Sequence, residues 1–272
     1  MFRHQRADGG VQALFEHRGG RARVAALRQA APLRLLLPEP EPDEWTTGAF
    51  LNTGGGLAGG DRITVALSLG EDAALTVATA AAEKVYRSMG DATRIAASLS
   101  LAAGAALAWL PQETILFDGA SLDRGLDISM AADARLLATE TLVFGRAAHG
   151  EAVTRLRLRE RWTLRVDGRL LWADALRLDD ATALGEPLGF GGAECLATLL
   201  CVAPQMPALL PVVRDMLPAA LRAGATLPAP QLLLIRMLGD AAAVRAGVVA
   251  LVPFLRATLF AQPARLPRLW TN

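Results

Sequence analysis

Residues 61–79 contain two short strands joined by a turn, in the sequence DRITVALSLGEDAALTVAT. Apolar residues occupy every second position from Ile63 to Leu69, between polar or small neighbours. A period of two predicts a strand with one buried face. The turn falls at Gly70-Glu71-Asp72, and a second strand is predicted over residues 75–79.

The same alternation recurs along the chain, at intervals of about ten residues. Further strands are predicted over residues 94–101, 114–117, 122–130, 135–144 and 153–166, followed by a hairpin turn at Asp167-Gly168 that leads into 170–172. Short strands at this spacing favour a mainly β body, which is a sandwich, a barrel or a stacked coil.

The last third of the chain has a different pattern. Apolar residues from Asp240 to Phe260 fall at helical spacing, and Pro253 is expected to kink or break the predicted helix. A shorter helix is predicted over Leu209–Ala223, with Gly224 just past its end. The segment Gln231–Leu238 fits a buried strand or a helix. We predict one domain over residues 1–272, mainly β, with helices near the C-terminus.

Composition excludes several classes of protein. Apolar residues make up 52% and charged residues 20%, which excludes a disordered chain. A net charge of +1 gives no overall field that would attract nucleic acid. The two cysteines, Cys195 and Cys201, are too few to staple a fold of this size, and both are predicted to lie in the core.

Targeting and membrane segments are not visible in the sequence. No apolar run like the core of a signal peptide follows Met1–Arg6. The longest apolar stretch near the C-terminus, Ala246–Leu255, is shorter than the roughly 20 residues that a spanning helix needs. We therefore expect a soluble, cytoplasmic chain without a membrane partner.

The segment NTGGGLAGGD, residues 52–61, contains five glycines. The bare N–H groups of such a loop can cradle an anion. It lacks the Gly-Lys-Ser/Thr of a P-loop, and a strand rather than a helix follows it, unlike a dinucleotide-binding fingerprint. A loop at which two backbones pass closely is the favoured interpretation.

Two further polar segments follow. AAEKVYRS, residues 81–88, holds the only lysine and the only tyrosine, and it fits a binding surface as well as a strand end that orients a loop. In WLPQETILFDG, residues 109–119, Glu113 and Asp118 fall on opposite faces of a strand. This placement argues against a catalytic carboxylate pair.

A third polar segment is FGRAAHGE, residues 144–151, which places His149 near Glu151 and downstream of Glu140. Acid–base chemistry or a contact with a metal ion is conceivable there. Since no nucleophile or second histidine is near in sequence, a satisfied loop histidine is favoured.

These segments, in this order, resemble the UreD family of urease accessory proteins, called UreH in some organisms. The resemblance rests on the motifs at residues 52–61, 81–88, 109–119 and 144–151, the Trp162–Trp172 hairpin and Leu266–Trp270. It runs from about residue 45 to the C-terminus. This divides the chain into a poorly matched segment over 1–44, a β body over 45–190 and a mixed strand and helix part over 191–272. Gly54 stands where the family usually has Ser, and His149 where it usually has Met.

The resemblance implies a non-enzymatic urease maturation factor. Such a protein binds UreF, which recruits the GTPase UreG, and the hetero-oligomeric complex docks on apo-urease and helps deliver Ni²⁺. It implies no tightly bound cofactor, because Ni²⁺ is in transit and GTP enters only through the UreG-type partner. The implied fold has two sheets wound in a helical, solenoid-like manner. A shortage of His and Cys fits transit of the metal better than storage.

The resemblance also suggests residues for the nickel route. Asp61, Glu83, Glu140 and Glu151 lie in or beside the family motifs, and we expect them to be the polar groups nearest an internal path. The alternative is that they pair with Arg62, Arg87 and Arg146 to hold loops. The other structural or interaction residues of the motifs are Asn52, Thr53, Gly55, Gly56, Gly59, Gly60, Lys84, Tyr86, Arg87, Gln112, Glu113, Asp118, Gly145 and Arg146.

The apolar C-terminal region is expected to face the UreF-type partner, through Val212–Ala223 and the 240–260 helix with its Arg245 and Arg256. Two other functions stay open. One is an adaptor with no role in handling metal. The other is a hydrolase that uses the glycine-rich loop with His149 and Glu151.

Overall fold

The computed structural model describes residues 6–146 and 149–271, and strands dominate this part of the chain. The strands are β1 (Asp8–Arg18), β2 (Arg21–Ala30), β3 (Leu33–Leu36), β4 (Thr46–Asn52), β5 (Arg62–Leu69), β6 (Ala74–Thr79), β7 (Glu83–Val85), β8 (Thr93–Leu101), β9 (Ala106–Leu110), β10 (Thr114–Leu116), β11 (Ser121–Met130), β12 (Arg135–Phe144), β13 (Arg157–Val166), β14 (Arg169–Leu178), β15 (Cys195–Val202), β16 (Arg222–Ala229) and β17 (Leu232–Gly239). The helices are α1 (Thr182–Gly185), α2 (Met206–Met216), α3 (Ala241–Phe260) and a 3₁₀ turn at Arg268–Trp270.

The strands form two sheets between which the chain alternates. Over the described residues one sheet has the order β14-β13-β11-β8-β5-β1-β2. The other has the order β16-β17-β15-β12-β9-β6-β4-β3, with β10 beside β12 and β7 beside β10. From β5 to β13 successive long strands alternate between the two sheets. Within each sheet, every one of these strands pairs in parallel with the next. The predicted two-sheet, solenoid-like β body is confirmed.

Stacked apolar ladders explain why the alternating sequence produces this winding. Leu67, Leu99, Ile128 and Leu164 are register neighbours in β5, β8, β11 and β13. All four are buried between the sheets. Each coil of the solenoid therefore covers the apolar row of the coil before it, which is how repeated coils build one continuous core.

The ten-stranded sheet is covered on its outer face by α2 and α3. Cys195 and Cys201 on β15 are buried in that second apolar layer, as predicted for both cysteines. Burial raises the pKa of each thiol to about 12, so both stay protonated at neutral pH. Strands covered on both faces have nearly continuous apolar sequences instead of alternating ones.

The C-terminal elements differ from the prediction at three points. The helix predicted over Leu209–Ala223 is wrong at its C-terminal end, because α2 stops at Met216 and Gly224 lies inside β16, paired with Arg236. The undecided segment Gln231–Leu238 forms β17. The break predicted at Pro253 is absent, since α3 continues from Ala241 to Phe260 with its buried face packed on the sheet.

One strand boundary also moves. The strand predicted from residue 153 begins at Arg157, because the N–H groups of Thr154 and Arg155 donate to Asp118 at 2.8 and 2.9 Å instead of joining a ladder.

By length and composition α3 is apolar enough to cross a membrane, which the short run Ala246–Leu255 did not suggest. Half of its most apolar stretch is buried against the rest of the chain. That burial matches a core helix.

Candidate functional site

The glycine-rich loop over residues 52–61 is paired with β7. Leu57 donates its N–H to the carbonyl of Lys84 at 2.7 Å, and its own carbonyl accepts from the N–H of Tyr86 at 2.8 Å. The Tyr86 hydroxyl donates to the carbonyl of Gly55 at 2.9 Å. The 81–88 segment therefore acts as the strand that positions this loop.

Two glycines of the loop sit at close approaches. A Cβ on Gly56, whose φ is +152°, would lie 2.5 Å from the ring of Tyr86. A Cβ on Gly59 would lie 2.2 Å from the Ser88 hydroxyl. These contacts match the favoured interpretation of a loop passed closely by its neighbours. At Gly54 a Cβ would lie 3.2 Å from the Asn52 side chain and 3.5 Å from Pro32, so a serine side chain fits there with only a small shift of its neighbours.

Asp61 closes the same loop. Its carboxylate accepts from the N–H groups of Ala7 at 2.9 Å and Ala58 at 2.7 Å, and the residue is buried. The carboxylate thus holds the loop to the start of the described chain through backbone groups, without the predicted alternative partner Arg62.

Glu83 faces a cavity of about 310 Å³ beside the loop. The Asn52 amide donates to both carboxylate oxygens at 2.9 Å. Burial raises the pKa of Glu83, against the opposing effect of the Asn52 hydrogen bond. Asn52, and not Arg87, is the side chain that holds it.

Two further residues of these motifs make structural contacts. Thr53 Oγ1 donates to the carbonyl of Pro32 at 2.9 Å, and Gly60 donates to the carbonyl of Ala92 at 3.2 Å. Lys84 is exposed.

Glu151 is paired with Arg146. The backbone N–H of Arg146 and two N–H groups of its guanidinium donate to the Glu151 carboxylate, at 2.9 to 3.1 Å. These hydrogen bonds lower the pKa of Glu151. Arg146 also lies 4.2 Å from the centre of the Phe117 ring. Arg146 thus engages the Glu151 carboxylate, and its carbonyl accepts from the backbone N–H of His149 at 2.7 Å. Ala147 and Ala148 of this motif lie outside the described residues.

The loop after β10 is tied to its neighbours by Asp118 and Gly145. Asp118 Oδ1 accepts from Thr154 and Arg155. Gly145, at a φ of +81°, donates to the carbonyl of Leu116 at 2.7 Å. A Cβ on Gly119 would lie 2.8 Å from the aliphatic stem of Arg87. The Arg87 side chain therefore packs directly against the backbone of Gly119.

The 109–119 segment is also held to the C-terminal part of the chain. Gln112 donates from its amide to the carbonyl of Leu269 at 3.1 Å, and Glu113 pairs with Arg245.

The two arginines predicted for a partner interface are placed differently. Arg245 is partly exposed on α3, beside Glu113 and 6.0 Å from the Trp270 ring. Arg256 is fully buried and lies 3.5 Å from Glu44. The prediction that Arg256 faces a partner is wrong, because its guanidinium points into the packing between α3 and the segment before β4.

Inside the sandwich lies a cluster of charges that the motifs only partly contain. Arg124 on β11 places Nη2 3.1 Å from Oε2 of Glu140 on β12 and 3.1 Å from Oε2 of Glu160 on β13. Nη1 of Arg124 donates to Thr114 at 3.0 Å. The Trp162 indole donates to Glu160 at 3.1 Å. Arg124, Glu140 and Glu160, here called the buried charge cluster, connect the two sheets.

The buried charge cluster divides the apolar interior in two. Along β11, Arg124 follows Leu122 of one apolar group and precedes Leu126 of the other. Glu140 stands likewise between Ala138 and Leu142. A polar layer therefore crosses the core from sheet to sheet.

The pKa values of the two carboxyl groups in the buried charge cluster shift in opposite directions. Burial raises the pKa of Glu140 to about 8. Burial acts in the same direction on Glu160, but the Arg124 guanidinium and the hydrogen bonds outweigh it and lower the pKa of Glu160. Of the two carboxyl groups, Glu140 therefore holds a proton more tightly, and the Arg124 guanidinium stabilises the ionised form of Glu160.

A cavity of about 200 Å³ reaches the buried charge cluster from the surface. Glu160, Trp162 and Thr198 line its inner side. Asp174 and Arg236, which form an ion pair, line its more exposed side. Of the buried charge cluster, Glu160 lines this cavity, which lies between β13 and β14 of one sheet and β15 and β17 of the other.

The four acidic residues predicted for a nickel path do not form one site. Asp61 and Glu83 belong to the glycine-rich loop, Glu151 to the loop after β12, and Glu140 to the buried charge cluster. Within residues 6–146 and 149–271, no group of three or more His, Cys, Asp or Glu side chains is arranged to hold a metal ion.

Sequence reasoning missed Arg124 and Glu160. The alternation of apolar and polar residues does contain an indication of both. Arg124 lies on the same buried face of β11 as Leu122 and Leu126. Glu160 occupies the inward phase of β13 with Leu158 and Trp162. Charged residues at positions that periodicity assigns to the core are the feature that would have found them.

A family model described as "UreD urease accessory protein" matches residues 7–271. The chain is 48% identical to "Urease accessory protein UreD" of Granulibacter bethesdensis over 240 residues, which are 88% of this chain and 100% of that protein. It is 39% identical to "Urease accessory protein UreD" of Magnetococcus marinus over 274 residues, covering 98% and 94% of the two chains.

Proposed function

Since the chain belongs to the UreD family of urease accessory proteins, we propose that it serves urease maturation as a non-enzymatic scaffold and nickel conduit. In this role it assembles UreF-type and UreG-type proteins on apo-urease in the cytoplasm and helps convey Ni²⁺ to the enzyme. It holds no cofactor of its own, and GTP is bound by the UreG-type partner.

The buried charge cluster is the observation that supports the conduit. Glu140 and Glu160 place carboxylate oxygens in the interior, next to a cavity that opens to the surface. Oxygen ligands bind Ni²⁺ less strongly than thiolate or imidazole ligands do. A route must hold an ion weakly enough to release it, and carboxylates meet that condition.

Glu140 is the predicted path residue that this proposal keeps at the centre of the route. Asp61, Glu83 and Glu151 stay proposals for its outer parts, since hydrogen bonds from backbone groups, Asn52 and Arg146 already engage them. A hydrated cation would have to compete with those contacts.

Exposed apolar side chains support the scaffold role. Leu36 and Leu51 lie exposed on the adjacent strands β3 and β4, and Tyr86 and Met89 are exposed beside the glycine-rich loop. Val212 is exposed on α2. Apolar side chains of this size on a surface are typical of contacts with other proteins.

Co-expression tests the proposal. The chain is produced with UreF-type and UreG-type proteins and apo-urease, and the mixture is separated by size-exclusion chromatography and assayed for nickel-dependent urease activity. We expect a complex that contains the chain, and activation that fails when the chain is omitted. Activation that is equal with and without the chain would overturn the proposal.

A variant separates the conduit from a plain adaptor. Glu160→Gln removes a carboxylate of the buried charge cluster, and Glu39→Gln removes an exposed one as the matched control. A conduit predicts an intact complex with reduced activation for Glu160→Gln alone. Full activation by both variants would leave only the adaptor role.

A further inference from the structure

Arg124 occupies the space between two carboxylates where a cation is most stable. Its Nη2 atom is 3.1 Å from an oxygen of Glu140 and 3.1 Å from an oxygen of Glu160. All three residues are buried. The guanidinium therefore supplies the positive charge that these carboxylates would otherwise take from a bound ion.

The contacts of Arg124 with the carboxylates are charge contacts without well-aligned hydrogen bonds. Among the described residues, Oε2 of Glu140, Oε2 of Glu160 and Nη2 of Arg124 are buried atoms without a hydrogen-bond partner. Nη2 of Arg124 is therefore the charge partner of both oxygens, and among the described residues neither oxygen also accepts a hydrogen bond. A buried acceptor in this state gains free energy from a better-fitting cation.

The cavity beside Glu160 gives such a cation a way in. Glu160, Trp162 and Thr198 form its inner side, and the Asp174–Arg236 ion pair stands at its more exposed side. The cavity ends at the carboxylate that Arg124 neutralises.

We propose that Arg124 is a resident cation that keeps a divalent-cation site between Glu140 and Glu160 closed, and that an ion arriving through the cavity binds there only when Arg124 withdraws. This inference rests on the proposed conveyance of Ni²⁺ and adds its regulation. It makes the buried charge cluster a gate that is shut in the chain as it stands.

Charge balance explains the gate. With Arg124 in place, two carboxylates and one guanidinium carry one net negative charge. A divalent ion added to this arrangement leaves excess positive charge in a buried site. With Arg124 withdrawn, the two carboxylates neutralise the ion, because Coulomb energies are large in a buried site.

Titration of the full-length chain with Ni²⁺ tests the gate. Calorimetry compares the wild type with Arg124→Gln and with Arg161→Gln, a matched control that removes an exposed arginine paired with Asp123 on the same strand pair. We expect Arg124→Gln to bind Ni²⁺ at least about tenfold more tightly than the wild type, given the strength of buried charge interactions. Arg161→Gln should bind like the wild type.

The triple variant Arg124→Gln, Glu140→Gln, Glu160→Gln shows whether the gain belongs to this site, and we expect it to lose the gain entirely. If Arg124→Gln does not fold, Arg124→Lys is titrated instead, because one ammonium group bridges the two carboxylates less well than a guanidinium does. Affinity that stays at the wild-type level in the folded variant would overturn the inference.

The titration is independent of urease. A chain that binds Ni²⁺ as expected but does not support urease activation would contradict the proposed function and not the gate. Unchanged affinity together with normal activation would contradict only the gate.

Discussion

The guanidinium of Arg256, which has no exposed surface, lies 3.5 Å from the carboxylate of Glu44, 212 residues earlier in the chain (256 − 44). Arg265 donates to the same carboxylate at 2.8 Å. The end of α3 and the segment after it thereby hold the connector that precedes β4. Loss of this pair is expected to affect folding before it affects any partner.

Replacement of Arg256 tests that expectation. Arg256→Met leaves Glu44 with only the half-exposed Arg265 as a partner and should lower the free energy of unfolding by about 2–3 kcal/mol. Arg245→Met, the control, removes a partly exposed pair with Glu113 and should cost at most about 1 kcal/mol. Urea unfolding measures both, and equal losses in the two variants would contradict the account.

The glycine-rich loop gives a second prediction. Gly56→Ser should cost about 1–3 kcal/mol in unfolding free energy, because φ is +152° there and the new Cβ meets the Tyr86 ring. Gly54→Ser should change it by less than about 0.5 kcal/mol, because its φ is not positive and the new Cβ comes no closer than 3.2 Å to any neighbour. Thermal unfolding of the two variants checks the difference, and an equal loss would show that the close approach at Gly56 is not what selects glycine.

The raised pKa of Glu140 predicts a dependence of stability on pH. Burial raises the pKa of Glu140 from its ordinary value of 4.5 to about 8. Between these two pH values the folded chain binds a proton that the unfolded chain releases. The stability that this group contributes is present below pH 4.5 and is lost as the pH rises towards about 8. Glu140→Gln cannot ionise, so it should gain stability relative to the wild type across this window and level off above it.

Urea unfolding at several pH values measures that difference. Glu151→Gln is the control: Arg146 lowers the pKa of Glu151, so its stabilisation is complete above the ordinary value of 4.5 and constant over the window. A difference between Glu140→Gln and the wild type that does not change with pH would contradict the assignment of the proton to Glu140.

Trp270 gives a fourth prediction. Its indole N–H donates to the carbonyl of Leu110 at 3.0 Å, and its buried ring packs with the apolar layer under α3. Trp270→Ala should lower the unfolding free energy by about 3–5 kcal/mol. Trp270→Phe keeps most of the packing and should cost less. Chemical denaturation distinguishes these, and wild-type stability in Trp270→Ala would show that the C-terminal segment is dispensable for the fold.

Much of the solenoid could be predicted from sequence, for a physical reason. Strands such as β5 and β11 have one face in the core and one in solvent, so their apolar residues alternate. β9 and β15 were missed because both faces are covered and the sequence becomes a continuous apolar run. At Gly224 a glycine that fits a helix end instead lies in a strand, because pairing with β17 overrides the local signal.

The candidate site was only partly predictable. Glu140 was predicted because it lies beside a motif. Arg124 and Glu160 lie in strands whose overall alternation of apolar and polar residues looks ordinary. Register pairs Arg124 with Glu160 across two strands that are far apart in sequence. Such a pairing depends on how the coils stack, which local patterns do not contain.

We propose that nickel reaches urease by way of the carboxylates of the buried charge cluster. The most direct test measures the nickel content of urease matured with the UreF-type and UreG-type proteins and either the wild-type chain or the double variant Glu140→Gln, Glu160→Gln. The account predicts that the variant enters the complex like the wild type and that urease then carries much less nickel. Equal nickel content with both chains would contradict it.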